Sequence, residues 1–266
     1  MKEEKVIADG IITDRSALDE ILARDRLEIY EVVRICAGKP IFASEHYDRL
    51  VKSLASVGKE PVVSLDEFIG QIDQVVKAND LSEGNLRIEQ YREPGDDTEH
   101  INIYHIPAVY PTDEMFAHGV TVAFMRAERD NPQAKIFDMQ LRQKADEMIE
   151  KTGVTEVLLV NRNGEITEGS RSNVFFIKDN TVIAAPQHTV LPGITRMKVL
   201  QIMREDGIRY EEAPLKADEI DKFDSAFLTG TSKEVLPIAT IESTAFDVDH
   251  PILRRLMRRY SELASV

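Results

Sequence analysis

The sequence predicts an α+β protein of two domains, a smaller N-terminal α/β domain and a larger strand-rich domain after it. At 266 residues the chain is long for one core and of ordinary length for two. Short apolar strands alternate with amphipathic helices in the first part of the chain, and strands predominate later. Pro107 and Pro111 stiffen the segment between these parts. We therefore predict domains at residues 1–106 and 118–266, joined by a linker at 107–117.

The strongest local signal in the first part is a helix start. Ser64 is followed three residues later by Glu67, which is the spacing of a capping box, and a stripe of apolar residues comes after it. An earlier amphipathic stretch ends at Gly58, a residue typical of helix ends. The elements predicted here are a helix at 46–57, a helix from Ser64 onward, and strands at 31–36, 40–43, 85–91 and 101–106.

Polar turns separate the elements of the second part. Residues 161–164 and 178–180 are rich in Asn, Asp and Gly, which favours hairpin connections. The predicted strands are 120–125, 155–160, 174–177, 182–185 and 226–228, and the predicted helices are 139–151, 194–205 and 252–263.

Composition excludes several classes of protein. The chain has 33 basic and 47 acidic residues, a net charge of −14, which argues against attraction to nucleic acid or to an anionic membrane. Its only cysteine, Cys36, rules out an internal disulfide and a cysteine-based zinc site. The six histidines show no metal-ligand spacing, so no metal is predicted. With no apolar run of about 18 residues and no signal segment, we expect a cytoplasmic protein.

The segment from Val190 to Arg196 combines a turn with a helix start. Pro192 and Gly193 end an extended stretch, and an apolar helical pattern begins at Ile194. A helix N-terminus presents unpaired backbone N–H groups, and the Thr195 hydroxyl adds a donor, so this segment is suited to bind an anion. An ordinary glycine turn followed by a helix is the alternative that this stretch leaves open.

Two further polar segments follow strand-like runs. Residues 228–233 place three hydroxyl side chains around Gly230, which suits phosphate oxygens but is also compatible with a simple polar loop. Residues 166–174 carry Glu168 just before Gly169 and a polar cluster. That carboxylate is either a surface residue or a partner for a protonated ring nitrogen.

Together these segments resemble the fold-type IV family of pyridoxal-phosphate enzymes, which includes branched-chain and D-amino-acid aminotransferases and aminodeoxychorismate lyase. The resemblance runs from about Ile29 to the C-terminal helix and implies the two-domain α+β fold of that family. Five fragments carry it in the family's order: Tyr30–Arg34, His46–Leu50, Thr167–Phe175, Leu191–Arg196 and Thr229–Ser232.

The resemblance implies a lysine that bonds covalently to the coenzyme aldehyde. In the family this lysine precedes a helix and lies upstream of the Glu-Gly motif, and Lys135 has that place. Lys144 and Lys151 are rivals, but both fall within or at the end of the predicted helix. Lys135 would also act as the general base that moves the substrate Cα proton. Tyr30 matches a family position beside the active site and is the second predicted catalytic residue.

The resemblance also implies how pyridoxal 5′-phosphate is bound. Glu168 would face the pyridine nitrogen and keep it protonated, which deepens the electron sink. Arg49, the N–H groups of Ile194 and Thr195, the Thr195 hydroxyl and Thr231 would hold the phosphate. Arginine suits this role because its planar fork donates two hydrogen bonds at once.

For function, the resemblance implies a ping-pong aminotransferase acting on an α-amino acid, or a related amine, and a 2-keto acid. Arg87 and Arg92 are candidates for binding the substrate carboxylate, and Arg171 is a third predicted substrate contact; plain surface arginines are the alternative. The family also implies a homodimer. An aminodeoxychorismate lyase that uses the same Lys135, and a binding module that has lost catalysis, remain alternative functions.

Overall fold

The computed structural model describes residues 3–22, 28–93 and 95–265. Its contacts divide into two compact units. The first unit comprises the described residues up to Val109 together with Ala134–Phe137, and the second comprises Tyr110–Gln133 and Asp138–Ser265. The predicted domain boundaries did not anticipate that Ala134–Phe137 packs with the first unit.

The first unit is one antiparallel sheet with three helices. Its elements are β1 (Lys5–Ala8), β2 (Ile11–Asp14), α1 (Ser16–Leu22), β3 (Glu28–Cys36), β4 (Lys39–Pro40), α2 (Ala43–Ala55), α3 (Leu65–Ala78), β5 (Gly84–Arg92) and β6 (Glu99–Ile106). The strand order is β2-β1-β6-β5-β3-β4. The predicted strands at 31–36, 85–91 and 101–106 are thus confirmed, whereas the strand predicted at 40–43 is wrong beyond Pro40, because α2 already begins at Ala43.

The two faces of this sheet differ in chemistry, since strand residues alternate between faces. On β3, Ile29, Val33 and Ile35 are buried in the core with apolar residues of α2 and α3. Glu31 lies between them in the alternation and shares that face, whereas Tyr30 belongs to the opposite face. A single strand therefore presents two functional candidates in opposite directions.

Helix α3 begins as its capping box predicts. The Ser64 backbone N–H donates to Glu67 Oε2 over 2.8 Å, and the Glu67 N–H donates back to Ser64 Oγ over 3.3 Å. Phe68 and Ile72 then pack into the core of the first unit. Local residue chemistry was sufficient to locate this helix.

The second unit contains a ten-stranded mixed sheet. Its elements are α4 (Asp113–His118), β7 (Val120–Arg126), α5 (Met139–Thr152), β8 (Glu156–Val160), β9 (Glu165–Gly169), β10 (Asn173–Lys178), β11 (Thr181–Ala184), α6 (Ile194–Glu205), β12 (Arg209–Glu212), β13 (Leu215–Lys216), β14 (Ser225–Gly230), β15 (Glu234–Ile241), β16 (Thr244–Ala245) and α7 (Pro251–Ala264), with short 3₁₀ helices at Gln187–Thr189 and Ala217–Lys222. The strand order is β12-β11-β10-β14-β15-β7-β8-β9-β13, and β16 pairs with β15.

All strands and helices predicted in this second part are present, but β12, β13, β15, β16 and α4 were missed. Strand β15 contains Pro237, which pairs with Phe227 of β14, and a proline inside a strand-like run argues against a strand in sequence reasoning. Helix α4 occupies the last part of the predicted linker; Thr112 caps it by accepting a hydrogen bond from the Met115 N–H over 3.2 Å. Among the described residues, none of the helices is long and apolar enough to cross a membrane.

Candidate active site

Lys135 lies on a short extended segment that pairs with β3. The Tyr30 N–H donates to the Lys135 carbonyl over 3.1 Å, and Ile136 forms an antiparallel bridge with Ile29. The Lys135 N–H donates to Ser53 Oγ of α2, also over 3.1 Å. Because both its N–H and C=O are bonded, the backbone of Lys135 is fixed against β3 and α2.

The Lys135 side chain lies over an aromatic ring. Its Nζ is 4.6 Å from the centroid of the Tyr30 ring. The Arg87 guanidinium lies 4.1 Å from the same centroid and 4.8 Å from that of Phe137, which meets Tyr30 edge-on. The two predicted catalytic residues, Tyr30 and Lys135, therefore lie together with the predicted substrate contact Arg87, at distances typical of cation–π contacts.

Two carboxylates accompany Arg87. Its Nη2 forms an ion pair with Glu28, and its Nε donates to Glu89 Oε2 over 3.1 Å. The Tyr104 hydroxyl donates to the same Glu89 oxygen over 2.8 Å. Burial is the main cause that raises the pKa of Tyr104, and the Glu89 charge adds to it, so this hydroxyl stays protonated and remains a donor.

On the core face of β3, Glu31 binds two residues of α2. Arg49 donates to it from Nε over 2.8 Å and from Nη2 over 2.6 Å, while His46 Nδ1 lies 2.7 Å from Glu31 Oε2. Burial by itself raises the pKa of Glu31, but the Arg49 charge and the hydrogen bonds from Arg49 and His46 outweigh it and lower the pKa to about 2. Glu31 is therefore ionised, and Arg49 is held in one orientation.

His46 is neutral at physiological pH for a related reason. Burial is the main cause that holds its pKa below the ordinary value, and the Arg49 and Lys135 charges act in the same direction against the attraction of Glu31. An ionised carboxylate only accepts hydrogen bonds, so Nδ1 of His46 carries the proton that Glu31 receives. The cluster of Glu31, His46 and Arg49 thus contains one anion and one cation.

In the second unit, the end of β9 buries Glu168. Arg129 donates from Nε to Glu168 Oε1 over 2.8 Å, and the Leu191 N–H donates to Oε2 over 3.1 Å. Asn173 Nδ2 lies 3.3 Å from the same Oε2 and donates to the Leu191 carbonyl over 2.9 Å. Asn173 therefore joins Glu168 to the segment that leads into α6.

Close packing at Gly193 shapes the start of α6. A Cβ at this position would lie 2.2 Å from Asn173 Oδ1, so any larger residue would displace the Asn173 amide. Gly193 is the N-cap, and the helix begins at Ile194, as predicted. Thr195 is buried, and its hydroxyl oxygen lies 3.3 Å from the hydroxyl oxygen of Tyr260 in α7. The helix N-terminus offers backbone N–H donors beside this hydroxyl.

The remaining predicted residues lie at turns and strand ends. Thr231 is half-buried in the turn between β14 and β15, which the Lys233 N–H closes by donating to the Gly230 carbonyl over 3.1 Å. Arg171 is exposed and forms an ion pair with Asp146. Arg92 is exposed at the end of β5 and donates from Nε to Glu99 Oε1 over 2.9 Å. Arg92 and Arg171 therefore already have acidic partners, and their roles stay predictions.

Comparison with known proteins decides the family. The family model described as "Amino-transferase class IV" matches residues 28–241. The chain belongs to the class IV aminotransferase family. A D-alanine aminotransferase of Bacillus licheniformis is 33% identical over 227 residues, covering 80% of this chain and 78% of that protein. A probable branched-chain-amino-acid aminotransferase of Rickettsia felis is 28% identical over 255 residues, covering 88% and 86%.

Solved structures agree in fold. The branched-chain amino acid aminotransferase of Escherichia coli has a TM-score of 0.86 at 20% identity, covering 99% of this chain and 95% of that one. A putative 4-amino-4-deoxychorismate lyase of Legionella pneumophila has a TM-score of 0.80 at 21% identity, covering 89% and 91%. Since aminotransferase and lyase share the fold, the fold alone does not separate the two activities.

This class IV aminotransferase is a pyridoxal-phosphate-dependent enzyme that transfers an amino group from an amino acid to a keto acid. The chemistry of its donors fits the coenzyme. Glu168 is a buried acceptor suited to a protonated ring nitrogen, and the α6 N-terminus with Thr195 is suited to phosphate. Gly193 keeps the approach to that N-terminus free of a side chain.

Sequence reasoning missed three contacts. Arg129 was not singled out, although it lies directly on Glu168. Glu31 was noted only as part of a motif, and a charged residue among the apolar β3 positions was the available signal. The pairing of Glu156 with Lys233 had no local signal, because the two residues lie on different strands and turns.

Proposed function

We propose that Lys135 is the lysine that carries the coenzyme and moves the substrate proton in this aminotransferase. Three observations support the proposal: its backbone is fixed by Tyr30 and Ser53, its Nζ lies over the Tyr30 ring, and Ala134–Phe137 packs with the first unit. A fixed backbone and a guided side chain favour repeated proton transfer at one atom. Nζ of Lys135 takes the Cα proton of the amino acid and later returns it, while Tyr30 keeps Nζ oriented.

We propose that Glu168 faces the ring nitrogen of the coenzyme. Bound pyridoxal phosphate supplies an electron sink that acidifies the Cα–H bond of the amino acid. The contacts from Arg129, Asn173 and the Leu191 N–H orient the Glu168 carboxylate. A carboxylate acceptor in this position favours a protonated nitrogen opposite it.

For the phosphate, we propose Arg49, the N–H groups of Ile194 and Thr195, and the Thr195 and Thr231 hydroxyls. The guanidinium has five N–H donors, so its pair with Glu31 is compatible with a further bond to phosphate. Glu31 fixes the direction of the fork. The buried Thr195 is held close to Tyr260.

For the substrate, we propose an α-amino acid and a 2-keto acid in a ping-pong reaction. Arg87 binds the substrate carboxylate in this proposal, because its guanidinium lies on the same Tyr30 ring as Nζ of Lys135. Glu28 and Glu89 accept from Nη2 and Nε of Arg87, so the bond to substrate would use the other N–H groups of the five-donor guanidinium. Arg92 and Arg171 are retained as predicted substrate contacts. D-Alanine and branched-chain amino acids are the first donors to test, since the relatives are named as aminotransferases of these amino acids.

The decisive experiment follows Lys135. After borohydride reduction of the holoenzyme, peptide mass spectrometry should find the coenzyme on Lys135, and Lys135→Ala should abolish amino transfer. Lys144→Ala is the matched control, since Lys144 is an exposed lysine of α5, and it should keep full turnover. Full turnover by Lys135→Ala contradicts the assignment. Pyruvate release from aminodeoxychorismate without a keto acid acceptor indicates the lyase instead.

We propose further that the enzyme is a cytoplasmic homodimer. A single cysteine suits a reducing compartment. Strand β2 lies at the edge of the six-stranded sheet and exposes two adjacent isoleucines, Ile11 and Ile12, and an apolar edge strand favours pairing with another chain. Light scattering should give twice the chain mass of 30.1 kDa. A monomer at micromolar concentration contradicts the dimer.

A further inference from the structure

Glu156, at the start of β8, is completely buried and accepts hydrogen bonds from four donors. Ser170 Oγ and the Val157 N–H donate to Oε1 over 2.6 and 2.9 Å. Ser172 Oγ donates to Oε2 over 2.9 Å, and the Arg171 N–H does so over 3.3 Å. The donors other than Val157 lie in the turn that follows Glu168 and Gly169. The carboxylate therefore organises this turn.

A cation from another turn completes the cluster. Lys233 Nζ lies 3.2 Å from Glu156 Oε2. Burial raises the pKa of Glu156, but the Lys233 charge and the hydrogen bonds from Ser170, the Val157 N–H and Ser172 outweigh it and hold the pKa below its ordinary value. Glu156 is thus a buried anion whose charge Lys233 balances. Lys233 follows Thr231 by two residues in the turn between β14 and β15.

Two glycines permit the turns to approach each other. A Cβ at Gly169 would lie 2.1 Å from Ser172 Oγ and 3.3 Å from the Glu156 carboxyl carbon. A Cβ at Gly230 would lie 3.3 Å from the Arg171 carbonyl oxygen and 3.8 Å from Ser172 Cβ. The turn after Glu168 and the turn with Thr231 are therefore in contact, and Glu156 and Lys233 bridge them.

We propose that Glu156 and Lys233 are positioning residues that hold Glu168 and Thr231 in the arrangement that binds the coenzyme. This inference rests on the proposed roles of Glu168 and Thr231. Neither Glu156 nor Lys233 touches the coenzyme in this proposal. Their effect passes through Ser170 and Ser172 on one side and through the backbone of the β14–β15 turn on the other.

The test uses variants of opposite charge change. Glu156→Gln removes a negative charge and Lys233→Met a positive one, while both keep side chains of similar length. If the two residues acted on the phosphate only through long-range attraction, Glu156→Gln would tighten coenzyme binding. Positioning instead predicts that both variants raise the dissociation constant of pyridoxal phosphate about tenfold, measured on apoprotein by coenzyme absorbance.

Three further variants test whether the effect depends on the charge at 233, on this particular lysine and on the bridge between the two residues. Lys233→Arg should restore affinity to within about threefold, because it keeps the charge beside Glu156. Lys216→Met removes a lysine of the same charge from a partly exposed pair with Glu165 and should leave affinity unchanged. The double variant of Glu156 and Lys233 should lose less than the product of the single losses, because the two residues act through one bridge.

The outcomes separate this inference from the proposed function. If Glu168→Gln and Thr231→Val leave coenzyme affinity unchanged, the proposed function of those side chains fails. If these two weaken binding but Glu156→Gln and Lys233→Met do not, only the positioning role fails. Tighter binding by Glu156→Gln with weaker binding by Lys233→Met overturns it in favour of long-range attraction. Circular dichroism confirms folding, and Lys233→Arg decides the case if Lys233→Met does not fold.

Discussion

Two buried carboxylates, Glu31 in the first unit and Glu156 in the second, have their negative charges balanced by different kinds of partner. Both are completely buried, and both have a pKa below the ordinary value. Glu31 is bound through both oxygens by Arg49 and also by His46, and these two residues lie one turn apart on α2. Glu156 receives mostly neutral donors from one turn and a single lysine from another.

Because they are bound differently, the two carboxylates have different roles: Glu31 contributes to stability and Glu156 positions backbone. A bidentate pair with arginine concentrates the energy in one contact, so losing the acid leaves a buried cation without its partner. Neutral donors spread the energy over several bonds of about 1 kcal/mol each, and each bond ties down a different piece of backbone. The Glu31 pair therefore stabilises the first unit, whereas the Glu156 cluster fixes the shape of two turns.

The largest expected effect is the loss of the Glu31 charge. Glu31→Gln should cost about 3–5 kcal/mol of unfolding free energy, because Arg49 is then buried without an anion. Glu156→Gln should cost less, about 1–3 kcal/mol, because the amide oxygen still accepts from the donors at one position, a serine hydroxyl at the other can turn to accept from the amide N–H, and Lys233 is 16% exposed to water. Urea unfolding followed by circular dichroism measures both.

Asp19→Asn is the control for this comparison, because it removes an exposed acid of the first unit that pairs with Arg15. It should change the unfolding free energy by less than about 0.5 kcal/mol. Equal losses for Glu31→Gln and Glu156→Gln would contradict the proposed difference between the two carboxylates. Partial recovery of stability by Glu31→Leu combined with Arg49→Met would support it, since apolar replacement of a whole buried pair is tolerated.

Low pH should also remove the contribution of Glu31 to stability, with a somewhat smaller effect than the Glu31→Gln substitution. The folded pKa of Glu31, about 2, lies below its ordinary value of 4.5, so its contribution is complete above pH 4.5 and is lost as the pH falls towards 2. That contribution is on the order of 3 kcal/mol. The stability difference between wild type and Glu31→Gln should therefore shrink between pH 4.5 and 2. A difference that stays constant across this range contradicts the lowered pKa.

The smallest effects test the backbone of the Glu156 cluster. Gly169→Ala should cost about 1–3 kcal/mol, because its Cβ would lie 2.1 Å from Ser172 Oγ and displace the bond to Glu156. The matched substitution Gly70→Ala in α3 meets no atom within 4 Å and should stabilise the protein by up to about 1 kcal/mol. Thermal unfolding of both variants gives the sign, and a neutral Gly169→Ala would show that the turn adapts.

Much of the fold followed from the sequence. The capping box at Ser64 and the glycine N-cap of α6 placed two helices because each depends on neighbouring residues. Strand β15 was missed because it contains Pro237, and a proline argues against a strand in local sequence. The pairing with β14 that makes it a strand is a contact between distant segments. The hairpin of β1 and β2 also went unpredicted; its strands are only four residues long.

In the candidate site, too, some features follow from local sequence and others only from tertiary contacts. By itself the sequence determined the family. It also predicted the chemical types of the proposed site, a lysine at 135, a carboxylate at 168 and hydroxyls at 195 and 231, since motifs of adjacent residues carry them. Only the tertiary structure decided the partners of these groups. Ser53 meets Lys135 across 82 residues, and Arg129 meets Glu168 across 39. Such pairs depend on strand register and helix packing, which act between distant segments and leave no mark in local sequence.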